Sequence, residues 1–346
     1  MSSIEPTPEK ALSPWQLIYG KVHELRARWY RERAERLPRP VISLGNLHWG
    51  GTGKTPITAA LAIHFHQRAL RVAILSRGYK RRGRGVTVVS RGGGPLVDPW
   101  IGGDEPFLLA EKALGASVLV AERRAAAGRQ ALAVLQPRPD VFLLDDGFSH
   151  LALRRDIDLL ILPRDDPFGG GRLAPSGRLR EPLASATRAH AVLLTGGTAE
   201  EARDVARSLS AFGFHGSGFA VALINPPPRM ISGEPLPQGA RVLVVSGIAR
   251  PQRFLNSVER SGLEIAGSLS FHDHHGYPSS SLQVIEGRAK AIGADFVLTT
   301  AKDRIKLAGR LTIGLAELDL EARPEPAFYS WIDDELDRLR RKGEAG

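Results

Sequence analysis

A short stretch near residue 50 combines the residue types that bind a nucleotide phosphate. Gly50-Gly51-Thr52-Gly53-Lys54-Thr55 follows an apolar run at Val41–Leu44 and precedes an apolar helical pattern. In a phosphate loop, glycines let successive backbone N–H groups point at phosphate oxygens. The lysine reaches the β- and γ-phosphates, and the threonine hydroxyl binds Mg²⁺. The sequence therefore predicts a strand, a phosphate loop and a helix in that order.

The loop departs from the standard pattern at one position. The pattern G-x-x-x-x-G-K-[ST] places a glycine six residues before the lysine, where this chain has His48. Gly45 and Gly50 lie nearby, so the loop is rich in glycine but displaced. A tight strand-to-helix turn without a ligand is the alternative, and the flanking strand and helix disfavour it.

Two acidic pairs could serve a metal ion or a proton transfer. Asp145-Asp146 follows the apolar run Val141–Leu144, which is the pattern of a Walker B strand whose carboxylate holds Mg²⁺. Asp104-Glu105 follows two glycines. A single aspartate at such a place is often a turn or helix-capping residue, but adjacent acids repel each other unless a cation or hydrogen-bond donors compensate.

Basic side chains concentrate in two loops. Ser76–Arg82 follows a predicted strand, and Phe168–Pro182 has too many glycines and prolines for a regular element. The second loop contains three arginines and a glutamate. Arginine side chains suit phosphates and sugars, so the pattern favours a functional loop.

Two further stretches could carry chemistry near the C-terminal end. Phe271–Tyr277 contains three histidines and an acid, but neighbours in an extended segment point to opposite sides. A general base or a phosphate contact is therefore favoured over a metal site. Thr299–Leu307 places two lysines four residues apart, and the alternatives there are a ligand contact or a capped helix with a solvated face.

The elements that position these residues alternate between strand and helix. Strand patterns occur at Val72–Leu75, Val86–Val89, Val118–Val120, Val141–Leu144 and Leu159–Leu162. This rhythm predicts an α/β fold, with a parallel sheet of the P-loop NTPase type, helices on both faces, and a second, smaller α/β domain. Ligands of such sheets bind at the carboxyl ends of the strands, where these polar residues occur.

The domain boundaries follow from the breaks in this pattern. We expect an N-terminal amphipathic helix in residues 1–37, a P-loop kinase domain in 38–222, a connecting ribbon in 223–240 and the smaller domain in 241–346. The last helix is a candidate to return to the first domain.

Composition narrows the function classes. The 346 residues are 42% hydrophobic and contain no cysteine, so disulfides, thiol catalysis and cysteine–zinc sites are excluded. No apolar run approaches the ~20 residues of a spanning helix. The formal charge of +10 favours anionic partners such as a phosphorylated substrate or an anionic lipid, although an arginine-rich proteome would have the same effect.

A helix predicted from Pro14 to about Arg36 carries aromatic and aliphatic residues on one stripe and arginines elsewhere. The stripe comprises Trp15, Ile18, Tyr19, Val22, Leu25 and Trp29. Such a helix suits a membrane interface. The alternative is an ordinary helix whose stripe packs on its own domain.

The order of motifs resembles the tetraacyldisaccharide 4′-kinases, the lipid A 4′-kinase family. The motifs are GN-x3-GGTGKTP, SRGY, GDEP, DDGF-x-H, LAPSGRLREP, SGIARPQRF, FHDHHGY and TTAKDRIKL, and they extend from about Pro14 to Leu307. The combination is much more specific than any one motif, and the family's own phosphate loop is displaced in the same way at His48.

The resemblance implies a reaction, its cofactors and its partners. An ATP- and Mg²⁺-dependent kinase would transfer the γ-phosphoryl group to the 4′-hydroxyl of a tetraacyldisaccharide 1-phosphate, in lipid A biosynthesis. It would be a peripheral protein on the cytoplasmic face of the bacterial inner membrane. Neither a nucleic acid nor an obligate protein partner is implied.

The resemblance also assigns residues. The catalytic residues would be Asp104, His274 and Lys54. ATP would be held by Asn46, Gly50, Gly51, Thr52, Gly53, Lys54 and Thr55. The metal site would comprise Thr55, Asp145, Asp146 and Glu105. The residues that contact the substrate would be Arg77, Tyr79, Arg123, His150, Arg180 and Glu181.

Two positions depart from the family pattern, and two other functions compete with it. Ser149 replaces the usual glutamine of DDGFQH, and Ala301 replaces the glutamate of TTEKD. The competing functions are another P-loop NTPase, of the GTPase or metallochaperone type, and a non-catalytic protein that binds the membrane surface. The guanine-specifying [NT]-K-x-D is absent, since in Thr300-Ala301-Lys302-Asp303 the lysine is one place late.

Overall fold

The computed structural model describes residues 14–344, except for the side chains at positions 14–17, 31 and 343–344. The described helices are α1 (Pro14–Arg33), α2 (Lys54–Gln67), α3 (Pro99–Gly102), α4 (Asp104–Lys112), α5 (Arg124–Val134), α6 (Ala199–Leu209), α7 (Pro251–Glu259), α8 (Ser279–Ala291), α9 (Ala301–Leu307) and α10 (Pro326–Glu344).

The strands form two separate sheets. Those of the first sheet are β1 (Val41–Gly45), β2 (Val72–Ser76), β3 (Thr87–Arg91), β4 (Ser117–Val120), β5 (Val141–Asp145), β6 (Ile157–Pro163), β7 (Ala191–Thr195), β8 (Ser217–Ile224) and β14 (Glu321–Pro324). Those of the second are β9 (Arg229–Met230), β10 (Arg241–Ser246), β11 (Glu264–Ser270), β12 (Phe296–Thr300) and β13 (Gly314–Leu318).

The first sheet has nine strands in the order β14-β8-β7-β6-β1-β5-β2-β4-β3. The pairings from β8 to β4 are parallel, and β3 lies antiparallel to β4. Every residue of β1, β2, β5, β6 and β7 is buried. Helices on both faces require such continuous apolar strands. The predicted α/β fold with a parallel sheet is confirmed.

The helix after the phosphate loop is central to the core on one face of this sheet. Ile57, Leu61 and Phe65 of α2 are fully buried there, with Phe328 and Ile332 of α10. His64 at the end of α2 contacts Asp333, with 2.9 Å between Nε2 and Oδ1. Helix α10 therefore belongs to the first unit, which otherwise ends at Leu223.

Helix α1 leaves most of its apolar stripe exposed and contacts the domain through one stripe residue, Tyr19. The side chains of Ile18, Val22, Leu25 and Trp29 are 57%, 55%, 64% and 52% exposed. Tyr19, which is partly buried, donates from its hydroxyl to the Arg180 carbonyl over 3.2 Å. The alternative that the stripe packs on its own domain is therefore wrong for these four residues. Trp15, also assigned to the stripe, lies outside the described side chains.

The second unit comprises Ile224–Glu321. Its sheet has the order β11-β10-β12-β13-β9, with β9 antiparallel to β13 and the other pairings parallel. Strand β9 falls within the segment expected to be a connecting ribbon. Separate apolar clusters cover the two faces, one around Tyr277 and Ile285 and the other around Phe254 and Val258.

Across residues 14–344, no helix combines the length and the hydropathy needed to cross a membrane.

We expect Ile332→Ala to destabilise the first unit. Ile332 is 0% exposed against α2, and truncating a buried isoleucine costs about 2–5 kcal/mol because a cavity remains. The free energy of unfolding from urea titration is the measurement. Asp334→Ala, at an exposed position of the same helix, is the matched control and should change it by less than about 0.5 kcal/mol. Equal effects of the two variants would contradict the packing of α10 on α2.

Candidate active site

The phosphate loop connects β1 to α2 and has the backbone geometry that such a loop needs. Gly50 and Gly53 have φ values of 100° and 85°, which side chains with a Cβ rarely adopt. The Asn46 amide, fully buried, donates from Nδ2 to the Thr52 hydroxyl over 2.8 Å and so ties the two ends of the loop together. The first backbone N–H groups of α2 have no partner within the helix, and a phosphate can accept from them.

The loop Phe168–Pro182, here called the arginine-rich loop, is hydrogen-bonded through its backbone to the segment that leads into the phosphate loop. Trp49 N donates to the Arg178 carbonyl over 2.9 Å, and Arg180 N donates to the Leu47 carbonyl over 2.7 Å. His48, at the position where the standard pattern has glycine, is 1% exposed and its Nε2 lies 2.9 Å from the Asp166 carbonyl oxygen. The histidine therefore has a structural role that glycine could not supply.

Asp145 ends β5 directly beside the phosphate loop. Its carboxylate is buried and accepts from the Ser76 hydroxyl over 3.2 Å. Burial, followed by the negative charges of Glu105 and Asp146, raises its pKa to about 7, and Lys54 acts in the opposite direction. A bound cation would relieve this repulsion, which is the electrostatic condition of a metal ligand.

The pKa of Asp146 is shifted in the opposite direction. Burial opposes its ionisation, but the charges of Lys54 and Arg180 prevail and hold the pKa of Asp146 well below its usual range. Arg180 donates two hydrogen bonds, of 2.6 and 3.2 Å, to the Asp146 carboxylate, and Lys54 Nζ lies 3.6 Å from Asp146 Oδ1. Asp146 has a φ of 50°, a strained backbone conformation for an aspartate, and this conformation places its carboxylate at the contact with Arg180 and Lys54.

A third cationic side chain, which the sequence patterns did not single out, belongs to this group. Arg124 begins α5 and is 4% exposed; burial lowers its pKa to about 10, while Asp146 and Asp145 act to raise it. Its neighbour Arg123, the predicted substrate residue, instead pairs with Glu35 over 2.9 Å, and its side chain is 76% exposed. Adjacent residues at a helix start point in different directions, and two arginines in sequence gave no means of choosing between them.

Asp104 and Glu105 open α4, on the same edge of the sheet. Gly103 before them has a φ of 93°, and a Cβ there would lie 3.1 Å from the Gly78 Cα. The glycine pair thus allows the SRGY and GDEP loops to approach closely. Glu105 contributes to raising the pKa of Asp145, so the structure brings it into the acidic group.

The remaining residues of the first unit that were predicted to meet the substrate differ in burial and pairing. Burial and then the charge of Arg124 lower the pKa of His150 to about 3, so its ring is neutral at physiological pH. Glu181 is 3% exposed and pairs with Arg188 over 2.6 Å. Arg77 and Tyr79 are exposed, although the Arg77 charge contributes to lowering the pKa of both His150 and Arg124.

His274 lies in the second unit, in a turn rather than in an extended segment. It has a φ of 59°, and the rings of His272 and His275 approach to 2.8 Å between Nε2 and Nδ1. The side chains of this segment therefore do not alternate between two sides, as was expected of an extended segment, because the chain turns at His274.

The donors present suit Mg²⁺ better than a metal held wholly by protein. Within residues 14–344, no three histidine or carboxylate side chains are grouped so as to enclose a metal ion. Mg²⁺ binds through one or two carboxylates and completes its shell with phosphate oxygens and water. Asp145, with its raised pKa, and the Thr55 hydroxyl on the first turn of α2 fit that role.

A phosphate loop and an acidic strand end on a parallel sheet define a P-loop nucleotide-binding protein. The family model for LpxK, the tetraacyldisaccharide-1-P 4′-kinase, matches residues 8–337, and the chain belongs to this family.

Individual relatives agree with this membership. The chain is 41% identical over 324 residues to a tetraacyldisaccharide 4′-kinase of Pelobacter propionicus, covering 91% of this chain and 87% of the relative. It is 38% identical over 322 residues to that of Geobacter sulfurreducens, covering 90% and 88%. A crystal structure of LpxK from Aquifex aeolicus in complex with ATP superposes with a TM-score of 0.73 at 32% identity, covering 93% of this chain and 98% of that one.

We expect Asp145→Asn to stabilise the ligand-free protein at alkaline pH. A carboxyl whose pKa in the folded protein, about 7, exceeds its ordinary value of 3.8 costs stability as the pH rises from the lower value to the higher one. Each unit of the difference corresponds to about 1.4 kcal/mol. The free energy of unfolding of the variant should exceed that of wild type at pH 8, and the difference should shrink toward pH 5. Parallel pH profiles for the two proteins would contradict the raised pKa.

Proposed function

We propose that the protein is an ATP- and Mg²⁺-dependent kinase that phosphorylates the 4′-hydroxyl of a tetraacyldisaccharide 1-phosphate. The observation that carries the proposal is the meeting of the phosphate loop with Asp145 and Asp146 in a chain of this family. The relatives' names supply the acceptor, and the Aquifex aeolicus structure with ATP supports the donor.

In the proposed reaction, the protein neutralises charge and fixes geometry, because phosphoryl transfer needs little covalent help from side chains. Asn46 and residues 50–55 hold the nucleotide phosphates. Lys54 of the phosphate loop lies 3.6 Å from Asp146, where it can stabilise the negative charge of the transferred group. The metal ion, held by Thr55 and Asp145 with Glu105 and Asp146 nearby, would neutralise the same charge.

The acceptor hydroxyl must lose its proton as it attacks. We propose Asp104 as the group that takes it, with His274 holding the carboxylate ionised and oriented. Asp104 opens α4 directly after Gly103, whose positive φ and missing Cβ let the loop at Gly78 pack close to the start of the helix. Arg77, Tyr79, His150 and Arg180, with Arg124 in place of the exposed Arg123, are proposed to face the substrate or the residues that hold it.

The nucleotide is proposed to be ATP rather than GTP. Thr300-Ala301-Lys302-Asp303 is the part of the chain that comes nearest to a guanine motif, and its Asp303 is fully buried in the second unit. Competition between ATP and GTP in the transfer assay separates the two nucleotides.

We expect Asp104→Ala and His274→Ala each to lower kcat by about 10²- to 10⁴-fold, as for the loss of a general base, with ATP affinity nearly unchanged. Two residues that act as one unit cannot be lost twice, so the double variant should be no slower than the slower single variant. Steady-state kinetics with purified protein and ATP binding by calorimetry are the measurements.

Two controls sharpen this cycle. Lys54→Ala should weaken ATP binding, whereas Asp104→Ala and His274→Ala should not. Raised Mg²⁺ should fail to rescue Asp104→Ala. A double variant whose loss equals the product of the single losses, or rescue by Mg²⁺, would instead make Asp104 a metal ligand.

We further propose that α1 lies in the membrane surface that holds the lipid substrate. Its exposed apolar residues are Ile18, Val22, Leu25 and Trp29, and Lys21, Arg28 and Arg33 on the same helix are exposed as well. The Arg33 guanidinium stacks over the Trp29 ring at 5.2 Å. Apolar side chains bordered by basic ones suit a helix lying in an anionic interface, on the side of the inner membrane that faces the cytoplasm.

We expect the double variant Val22→Ser/Leu25→Ser to bind vesicles containing anionic lipid more weakly. Loss of two side chains of this size from an interface costs roughly 2 kcal/mol, or a partition coefficient about 30-fold lower. Co-sedimentation with vesicles at physiological salt is the measurement. Leu114→Ser, at a position 57% exposed outside α1, is the matched control. Equal binding by all three proteins would contradict the proposal.

A further inference from the structure

One buried carboxylate in the second unit has no part in the site described above. Asp303 is 0% exposed and is the third residue of α9, which Thr300 caps: the Thr300 hydroxyl accepts from Asp303 N over 3.1 Å and donates to Asp303 Oδ2 over 2.8 Å. The same Oδ2 accepts from the N–H of Gly247 over 2.9 Å. A helix-capping pair alone does not need this third bond, which reaches a residue beyond the end of β10.

Gly247 links this carboxylate to the histidine turn. Its carbonyl accepts from His274 N over 3.1 Å. A Cβ at Gly247 would lie 2.9 Å from the Tyr277 hydroxyl oxygen and 3.0 Å from Asp303 Oδ1. The N–H of Gly247 thus donates to Asp303, and the carbonyl of Gly247 accepts from the N–H of His274. Only glycine fits at this position, because a Cβ would contact the surrounding side chains.

The turn is fixed at its two ends as well. Phe271 N donates to the Ser246 carbonyl over 2.8 Å, and Arg310 donates to the Tyr277 carbonyl over 2.7 Å. Tyr277 is fully buried, and burial followed by the charge of Asp303 raises the pKa of its hydroxyl well above the usual range. His274 lies between these points with a φ of 59°, a conformation that persists only where its surroundings enforce it.

We propose that Asp303 is a positioning residue for His274, acting through Gly247. The proposal rests on the proposed role of His274 in the transfer reaction. It gives the TTAKD motif a function: Thr300 and Asp303 orient the histidine turn, and this function needs no side chain at Ala301, which is itself buried. A misplacement of about 1 Å at a reacting group can cost about 100-fold in rate.

The test combines kinetics with a direct observation of the turn. Asp303→Ala should speed amide hydrogen exchange in residues 271–277 and lower kcat by about 10- to 100-fold, with KM for ATP unchanged. Asp303→Asn should restore most of both properties, because its side-chain oxygen still accepts from Gly247 N and Thr300. Adding Asp303→Ala to His274→Ala should cause no further loss of kcat.

Two further variants keep the test decisive. Gly247→Ala places a Cβ against Tyr277 and Asp303 and should give the same signature if Asp303→Ala does not fold. Val258→Ala removes a fully buried side chain in the cluster around Phe254, away from the Tyr277 cluster, and should lower stability while leaving kcat and exchange in the turn unchanged.

The outcomes separate this inference from the proposed function. Unchanged exchange in Asp303→Ala, or a kcat no lower than that of Val258→Ala, overturns the inference alone. If His274→Ala keeps the wild-type kcat while Asp303→Ala still loosens the turn, the proposed role of His274 is wrong and the inference falls with it.

Discussion

The balance of charge at Asp146 is the constraint on which the site depends. This carboxylate is held by Arg180 through two hydrogen bonds and lies 3.6 Å from Lys54. It therefore joins the arginine-rich loop, the end of β5 and the phosphate loop at one point. Asp145, one residue earlier, accepts a hydrogen bond from Ser76, and its burial with the charges of Glu105 and Asp146 raises its pKa, so the two neighbouring acids have different electrostatic roles.

The sheet makes this arrangement possible. Strands β1, β5 and β2 are adjacent and parallel, so the phosphate loop, Asp145 and the basic loop after Ser76 emerge at one edge. Helix α10 adds buried side chains against α2, the helix whose N-terminus faces the proposed phosphates. On the proposed function, the nucleotide would bring more negative charge to Lys54 and Arg180, and the metal ion would offset the repulsion around Asp145.

Local patterns in the sequence predicted much of this fold. Strand β5 was expected at Val141–Leu144 and spans Val141–Asp145, and strand β2 was expected at Val72–Leu75 and spans Val72–Ser76. Helix α6 was not predicted, although Thr198 and Glu201 form a capping box that could have revealed it. Tertiary contacts decide the rest. No periodicity distinguishes Arg124 from Arg123, shows that His48 reaches Asp166, or indicates that Ile18, Val22, Leu25 and Trp29 of α1 are exposed. The carbonyl contacts of Arg26 and Tyr19 decide which face of α1 meets the domain.

The most direct test of the whole account is the transfer reaction itself. Purified protein would be incubated with [γ-³²P]ATP, Mg²⁺ and a tetraacyldisaccharide 1-phosphate in mixed micelles, and the position of the new phosphate would be determined by NMR. We expect label in the lipid at the 4′-position, with ATP strongly preferred over GTP. Hydrolysis of nucleotide without transfer to the lipid, or a preference for GTP, would contradict it.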